Sequence, residues 1–150
     1  MSRAESATPA PRVRLALVHS RFNGEICDLL LASARAQVER EGAECEYVGV
    51  PGALEIPIAL QWLAQAGRFD ALVALGAVIR GETHHFDVVA NESARGVMDV
   101  GLEFGIPVAN AILATEDEAQ ARARKDKGAE AVRVACEMAR LKRHLGEKWR

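Results

Sequence analysis

"DALVALGAVI", residues 70–79, is an apolar run with one charge at its head. It lacks the two-residue alternation of a half-solvated strand, and it is short for a helix buried on all sides. A continuous apolar run of this length suits a parallel strand covered by helices on both faces. It is therefore read as the central strand of a sheet, and the rest of the chain is organised around it.

Upstream, "VRLALVHS" (13–20) and "CEYVGV" (45–50) read as strands, and downstream "GIPVANAIL" (105–113) reads as a fourth. Between the first two, Ile26, Leu29, Leu30, Ser33, Ala34 and Val38 recur at steps of three and four, the period of a helix with one buried face. "ALEIPIALQWLAQAG" is a second helix, in which Pro57 must sit in the first turn or bend the axis. Phe86, Val89, Ala90, Ser93 and Val97 mark a third, and residues 116–124 and 128–145 form two closing helices. Strand and helix alternate from end to end, which predicts an α/β fold. The expected architecture is a three-layer α/β/α sandwich, flavodoxin-like, with a central four-stranded parallel sheet and right-handed crossovers.

A chain of 150 residues, 49% of them hydrophobic, suffices for one core and leaves little for a second domain. Residues 13–150 are expected to form that single domain, behind a disordered tail at 1–12 whose opening "MSRAESATPAPRV" lacks the apolar segment of a signal peptide. The net charge of −2 has no basic concentration of the kind that nucleic acid or an anionic membrane would select. No apolar stretch approaches the roughly 20 residues of a membrane span. Cys27, Cys45 and Cys136 lie far apart without metal-ligand spacing, so they are expected to be reduced and structural, in a cytoplasmic protein. No metal site is expected.

In open parallel sheets, ligands bind at the carboxyl ends of the strands. Four loops lie there: "HSRFNGE", "VPGALEIP", "IRGETHHFD" and "LATEDE". In the third, Thr83 can cap a helix whose exposed N–H groups, Gly81 to His84, would cradle a phosphate; ordinary capping with solvated histidines explains the same residues. Adjacent histidines at a helix start face different ways, so His84 and His85 cannot share a role. Phe22 follows a strand end, where it can cover a planar ligand or fold back onto the sheet. Glu55 is a carboxylate at a helix start, for which dipole stabilisation is sufficient reason. Arg80, Arg124 and Lys127 are cations that can meet a phosphate or simply face water. A phosphate-receiving signalling domain of the same topology would need acidic clusters at the first and third strand ends, where this chain has "HSRFN" and "AVIRGE".

Five segments, "SRFN", "VPGALEIP", "GAVIRGETHHFDVVANESARG", "GIPVANAILAT" and "DKGAEAV", stand in order and at similar spacing in the 6,7-dimethyl-8-ribityllumazine synthase family. The chain resembles that family from about Val13 to the C-terminal helix. The resemblance implies condensation of 5-amino-6-ribitylaminouracil with 3,4-dihydroxy-2-butanone 4-phosphate, the penultimate step of riboflavin biosynthesis, without cofactor or metal. By motif, Phe22 would stack on the pyrimidine; Ala53, Leu54 and Glu55 would hold the ribityl chain; and the backbone at Val78 and Ile79 would read the ring edge. His85 would transfer protons, while Glu82, Thr83 and Arg124 would hold the phosphate.

The resemblance further implies a homo-oligomer built from pentamers, free, paired or closed into larger shells, with Asn110, Arg124 and Lys127 supplied by the adjacent subunit. Asn110 stands where many members carry an aromatic residue. Only Lys125 and Asp126 separate Arg124 from Lys127, a shorter connection than is common in the family, and Arg122 is the alternative cation. A binding-only homologue would keep the same ligand-facing residues. The C-terminal helix has two apolar stripes, Val134, Met138, Leu141 and Leu145 on one and Val132, Cys136 and Ala139 on another, as expected of an obligate oligomer.

Overall fold

A computed structural model describes residues 11–82 and 85–149. The strands are β1 (Arg14–Ser20), β2 (Glu44–Val50), β3 (Ala71–Ile79) and β4 (Val108–Thr115). The helices are α1 (Gly24–Glu41), α2 (Ile56–Gln65), α3 (Phe86–Phe104), α4 (Glu118–Ala123) and α5 (Lys127–Lys148), with 3-10 turns at Ala53–Glu55 and Arg80–Glu82. The sheet runs β2-β1-β3-β4 with every pair parallel, so the expected α/β/α sandwich is what forms.

Every residue of β3 is buried, as its unbroken apolar run requires. One face, through Leu15, Leu17, Val73 and Leu75, packs with Leu30, Ala34, Val132 and Cys136 of α1 and α5. The opposite face, through Ala16, Val18, Leu72 and Ala74, packs with Ile56, Leu60 and Val97 of α2 and α3. Pro57 lies in the first turn of α2, where the missing N–H costs nothing. A Cβ on Gly96 of α3 would stand 2.7 Å from Pro57 Cγ, so this glycine sets how closely α2 and α3 approach.

The α1–α5 contact is tighter. A Cβ on Gly128 would fall 2.1 Å from the Leu30 carbonyl oxygen. Beside it, Ser33 Oγ accepts from Ala129 N at 3.1 Å and lies 2.8 Å from the Lys125 carbonyl. The start of α5, whose own N-cap Asp126 makes no side-chain cap bond, is thus capped by a side chain of α1. We expect Gly128→Ala to destabilise the chain by about 1–3 kcal/mol, because the obstructing atom is backbone and cannot swing away. Denaturant unfolding measures this, and an unchanged midpoint would mean that the helices separate freely.

Two boundaries differ from the sequence reading. The strand expected at 105–113 occupies Val108–Thr115, because Gly105 ends α3 in a left-handed conformation (φ 61) and Ile106 N bonds back to Gly101 O. The third helix begins at Phe86, with His85 at the N-cap position and no side-chain cap bond. Gly81 and Glu82 belong to a separate 3-10 turn, so Gly81 is not part of the start of that helix. Thr83 and His84 lie outside the described residues, as does the tail segment 1–10. Arg12, placed in that tail by the sequence reading, donates to Gly42 O at 2.8 Å and Ala43 O at 3.1 Å.

All three cysteines are free thiols. Burial pushes Cys45 up to about 12 and Cys136 up to about 11, and raises Cys27 as well, so they stay protonated and unreactive near neutral pH. None of the described helices is long and apolar enough to cross a membrane.

Candidate active site

The chain crosses over between β1 and β3: β2 lies to one side of β1, and β3 and β4 lie to the other. Such a switch point opens a crevice at the carboxyl ends of the strands. Here the crevice is deepened by unequal strand lengths. The last β1–β3 pair is His19 with Leu75, whereas β3 stays paired with β4 as far as Ile79 with Thr115. Ser20, the last residue of β1, still lies against Gly76, but from Ala77 to Ile79 the β1-facing edge of β3 has no strand beside it.

A cavity of about 160 Å³ occupies this place, lined by Phe22, Gly52, Ala53, Leu54, Glu55, Ala77, Val78, Ile79 and Val89. Each side chain has a structural reason to be there. Phe22 N donates to Pro51 O at 3.1 Å, which holds the β1–α1 turn against the end of β2 and leaves the ring 54% exposed. The 3-10 turn brings Ala53 in as a buried wall and folds Glu55 over Gly52, where a Cβ would lie 3.2 Å from Glu55 Oε1. Val89 enters from the first turn of α3. His85, exposed, precedes Val89 by one helical turn, and its carbonyl accepts from Val89 N at 2.9 Å.

Six of the residues expected at a binding site therefore come together: Phe22, Ala53, Leu54, Glu55, Val78 and Ile79. Three others do not join them. Asn110, Arg124 and Lys127 line a different hollow, about 600 Å³, on the outer side of the edge strand β4, with Glu130 and Val134. Asn110 Oδ1 accepts from Ile112 N at 2.8 Å, so its amide is folded along its own strand. Lys127 Nζ is 3.2 Å from Glu130 Oε1. Arg124 has no ion pair or side-chain hydrogen bond among the described residues, whereas Arg122 is engaged by Glu25 and by Glu118, the latter at 2.9 Å. Of the two candidate cations, Arg124 is the one in the hollow.

Arg80, for which the sequence left a phosphate contact and a surface role both open, is engaged within the chain. Its Nε donates to both oxygens of Glu116, at 3.0 and 3.1 Å, and its guanidinium lies 3.7 Å from Asp87 and 4.3 Å from the Phe86 ring centre. Two carboxylates already balance its charge, and it ties the end of β3 to the starts of α3 and α4.

The sequence reading missed Ala77, Val89 and Asn23 as parts of this region. Ala77 is hidden within the apolar run, and Val89 within a helical period that also serves the core. Asn23 lay in plain view in "SRFN". Among the described residues no group of three His, Cys, Asp or Glu side chains is placed to hold a metal ion.

A larger hollow lies away from the strand ends. About 730 Å³ in volume, it runs between α3 and α5 and is walled by Met98, Leu102, Met138, Leu141 and Leu145, with Asn110 at its margin. Leu102 is 76% exposed. The two stripes of α5 thus separate: Val132, Cys136 and Ala139 are buried in the core, while Val134, Met138, Leu141 and Leu145 remain partly bare. A second bare row, Leu54, Ile58 and Trp62, follows the turn before α2 and one face of that helix, with Trp62 63% exposed.

A family model described as 6,7-dimethyl-8-ribityllumazine synthase matches residues 12–143. A Nitrosomonas europaea protein of that name is 57% identical over 137 residues, covering 89% of this chain and 84% of that protein. Proteins of the same name from Paraburkholderia phytofirmans and Burkholderia vietnamiensis are 56% and 54% identical, each over 133 residues, 86% of this chain and 79% of theirs.

Proposed function

The chain belongs to the 6,7-dimethyl-8-ribityllumazine synthase family, and from that premise we propose how its two separated residue sets make one active centre. The enzyme condenses 5-amino-6-ribitylaminouracil with 3,4-dihydroxy-2-butanone 4-phosphate to the lumazine, releasing phosphate and water. The observation that carries the reading is the division of the site. A cavity of about 160 Å³ is small for two substrates, since ligand pockets usually hold about 300–1,000 Å³. The cationic residues that a phosphate needs lie on another face of the same chain.

An adjacent copy resolves both shortages. Its Asn110, Arg124 and Lys127 close over the first copy's Phe22 and Glu55. Asn110 is shared by the hollow on β4 and the apolar groove of α3 and α5, and Leu54 is shared by the cavity and the bare row of α2. Laying Leu54, Ile58 and Trp62 of one copy into the groove of the next therefore brings Asn110 beside the cavity. The contact joins two different surfaces, and such contacts repeat around a ring. We assign the ring as a pentamer or a multiple of pentamers, working in the cytoplasm, where free thiols such as these persist.

Within the joint site, Phe22 stacks on the pyrimidine, and the unaccompanied edge of β3 at Val78 and Ile79 offers main-chain groups to the ring edge. Ala53, Leu54 and Glu55 hold the ribityl chain, the Glu55 carboxylate accepting from its hydroxyls. Glu82 and Thr83 meet the phosphate from one side and Arg124 from the other, so that charge developing on the departing phosphate is met by a fixed cation. His85 moves the protons. Imine formation, phosphate elimination and ring closure each transfer one near neutral pH, which suits an imidazole. Holding both substrates in register supplies much of the remaining acceleration.

The purified protein mixed with both substrates should generate lumazine absorbance, which a binding-only homologue would not. His85→Ala should slow that reaction about 10- to 100-fold while the ribityl substrate still binds, since only proton transfer is removed. His84→Ala should be much milder. Equal losses in the two variants would assign the proton transfer elsewhere.

A further inference from the structure

Asn23 is the only non-glycine among the described residues with positive φ, at φ 60 and ψ 48. It occupies the N-cap position of α1, where an Asn side chain ordinarily accepts from the helix's own N–H groups, yet it makes no side-chain cap bond. Instead its Nδ2 reaches across the crevice and donates to the Ala77 carbonyl at 2.9 Å. That carbonyl belongs to the stretch of β3 that has run past β1. The arm therefore bridges the gap between strands immediately behind Phe22.

We propose that Asn23 is a positioning residue that sets the plane of the Phe22 ring against the cavity floor; the inference rests on Phe22 being the stacking residue. The left-handed backbone turns the chain sharply after Phe22. Two anchors hold the near side of that turn, Arg21 N to Val50 O at 2.9 Å and Phe22 N to Pro51 O at 3.1 Å. The Asn23 amide supplies the far side, from β3. On the α1 side, Cys27 Sγ donates to Phe22 O at 3.4 Å; without the Asn23 amide the turn keeps these ties but has none to β3, and it can rock toward or away from Val78 and Ile79, which changes the width of the slot that a planar ring enters. Left-handed conformation costs an ordinary residue roughly 1 kcal/mol or more and Asn less. An Asn thus combines the required backbone with an arm long enough to cross, whereas Gly would give the first and lack the second.

The test separates these contributions. Asn23→Gly keeps the backbone and removes the arm; it should raise KM for 5-amino-6-ribitylaminouracil about tenfold, the worth of one hydrogen bond, with kcat within about twofold of wild type. Asn23→Asp turns an acceptor toward the Ala77 carbonyl and should do more harm than Asn23→Gly. Combining Asn23→Gly with Phe22→Ala should add less than about twofold to the effect of Phe22→Ala, because the arm acts through the ring. Binding of the lumazine product, followed by fluorescence, should report the same pattern without turnover. If Phe22→Ala weakens binding and Asn23→Gly does not, or if Asn23→Gly costs as much in the Phe22→Ala background, the positioning role is overturned and the stacking role stands. If Phe22→Ala itself binds like wild type, stacking fails and positioning fails with it. Should Asn23→Gly prove unstable, Asn23→Asp in the folded assembly decides by the same comparison.

Discussion

Replacing Arg124 with alanine is expected to lower kcat/KM by about 30- to 1,000-fold, the equivalent of about 2–4 kcal/mol of transition-state stabilisation. The guanidinium is unpaired among the described residues and stands beside Asn110 and Lys127, so in the proposed joint site its fork would be available to phosphate oxygens. Backbone N–H groups cannot replace it. Arg124→Lys should recover only part of the loss, because a point charge lacks the planar fork. Arg122→Ala should leave the rate nearly unchanged, since Arg122 is already held by Glu25 and Glu118. Mixing Arg124→Ala chains with His85→Ala chains should restore activity above either parent wherever an intact His85 faces an intact Arg124 across a boundary. No restoration despite verified subunit exchange would mean that the two residues do not complement one another between copies.

A second large effect is expected from Leu102→Glu. Its side chain stands in the apolar groove and is 76% exposed in the single chain, so the substitution should be harmless to the fold. In the proposed assembly the same carboxylate would be enclosed among Met98, Met138 and Leu141, and an unpaired buried charge costs about 3–5 kcal/mol at each interface. Sedimentation should find small species, and lumazine formation should fall at least about 100-fold, because in the proposed shared centre a dissociated chain keeps only half a site. A Leu102→Glu protein that is monomeric and fully active would refute the shared centre; one that stays assembled would move the contact to another face.

The layer architecture was legible because β3 carries its evidence in composition: nine buried residues leave no polar side, and only a strand between two helical layers tolerates that. Pro57 likewise located the first turn of its helix, since few other positions accept a residue without an N–H. The start of β4 was less legible. "GIPVANAIL" is apolar but for Asn110, and the strand reading absorbed Gly105 although that glycine is consumed in ending the preceding helix. For α5 the two stripes were visible, but their assignment was not, because Val132 and Val134 are chemically alike. What decides is Gly128, which permits α5 to rest against the Leu30 carbonyl and so rolls one stripe inward.

The cavity residues followed from motif and strand ends together. Their separation into two sets within one chain could not, because spacing along the sequence does not say which loops face one another. The choice between Arg122 and Arg124 also needed three dimensions: Glu25, the residue that occupies Arg122, lies nearly a hundred positions away. Asn23 escaped notice for a related reason, since its partner is a main-chain oxygen and leaves no trace in residue type.

The unequal reach of β1 and β3 bears on how this protein tolerates genetic drift. Past Leu75 the third strand keeps its β4 pairing, while on its other edge Asn23 takes the Ala77 carbonyl and no strand lies beside Val78 and Ile79. Recognition carried by that edge is written in the path of the chain, and every residue other than proline has the same N–H and C=O to offer. Under the proposed main-chain reading of the ring edge, Val78 and Ile79 can therefore exchange among apolar types that fill the same core volume while the pattern offered to the ring stays constant. Alleles differing there would be silent for substrate choice and visible only as altered thermal tolerance, so selection for fidelity and selection for robustness would act on this segment through separate atoms of the same residues.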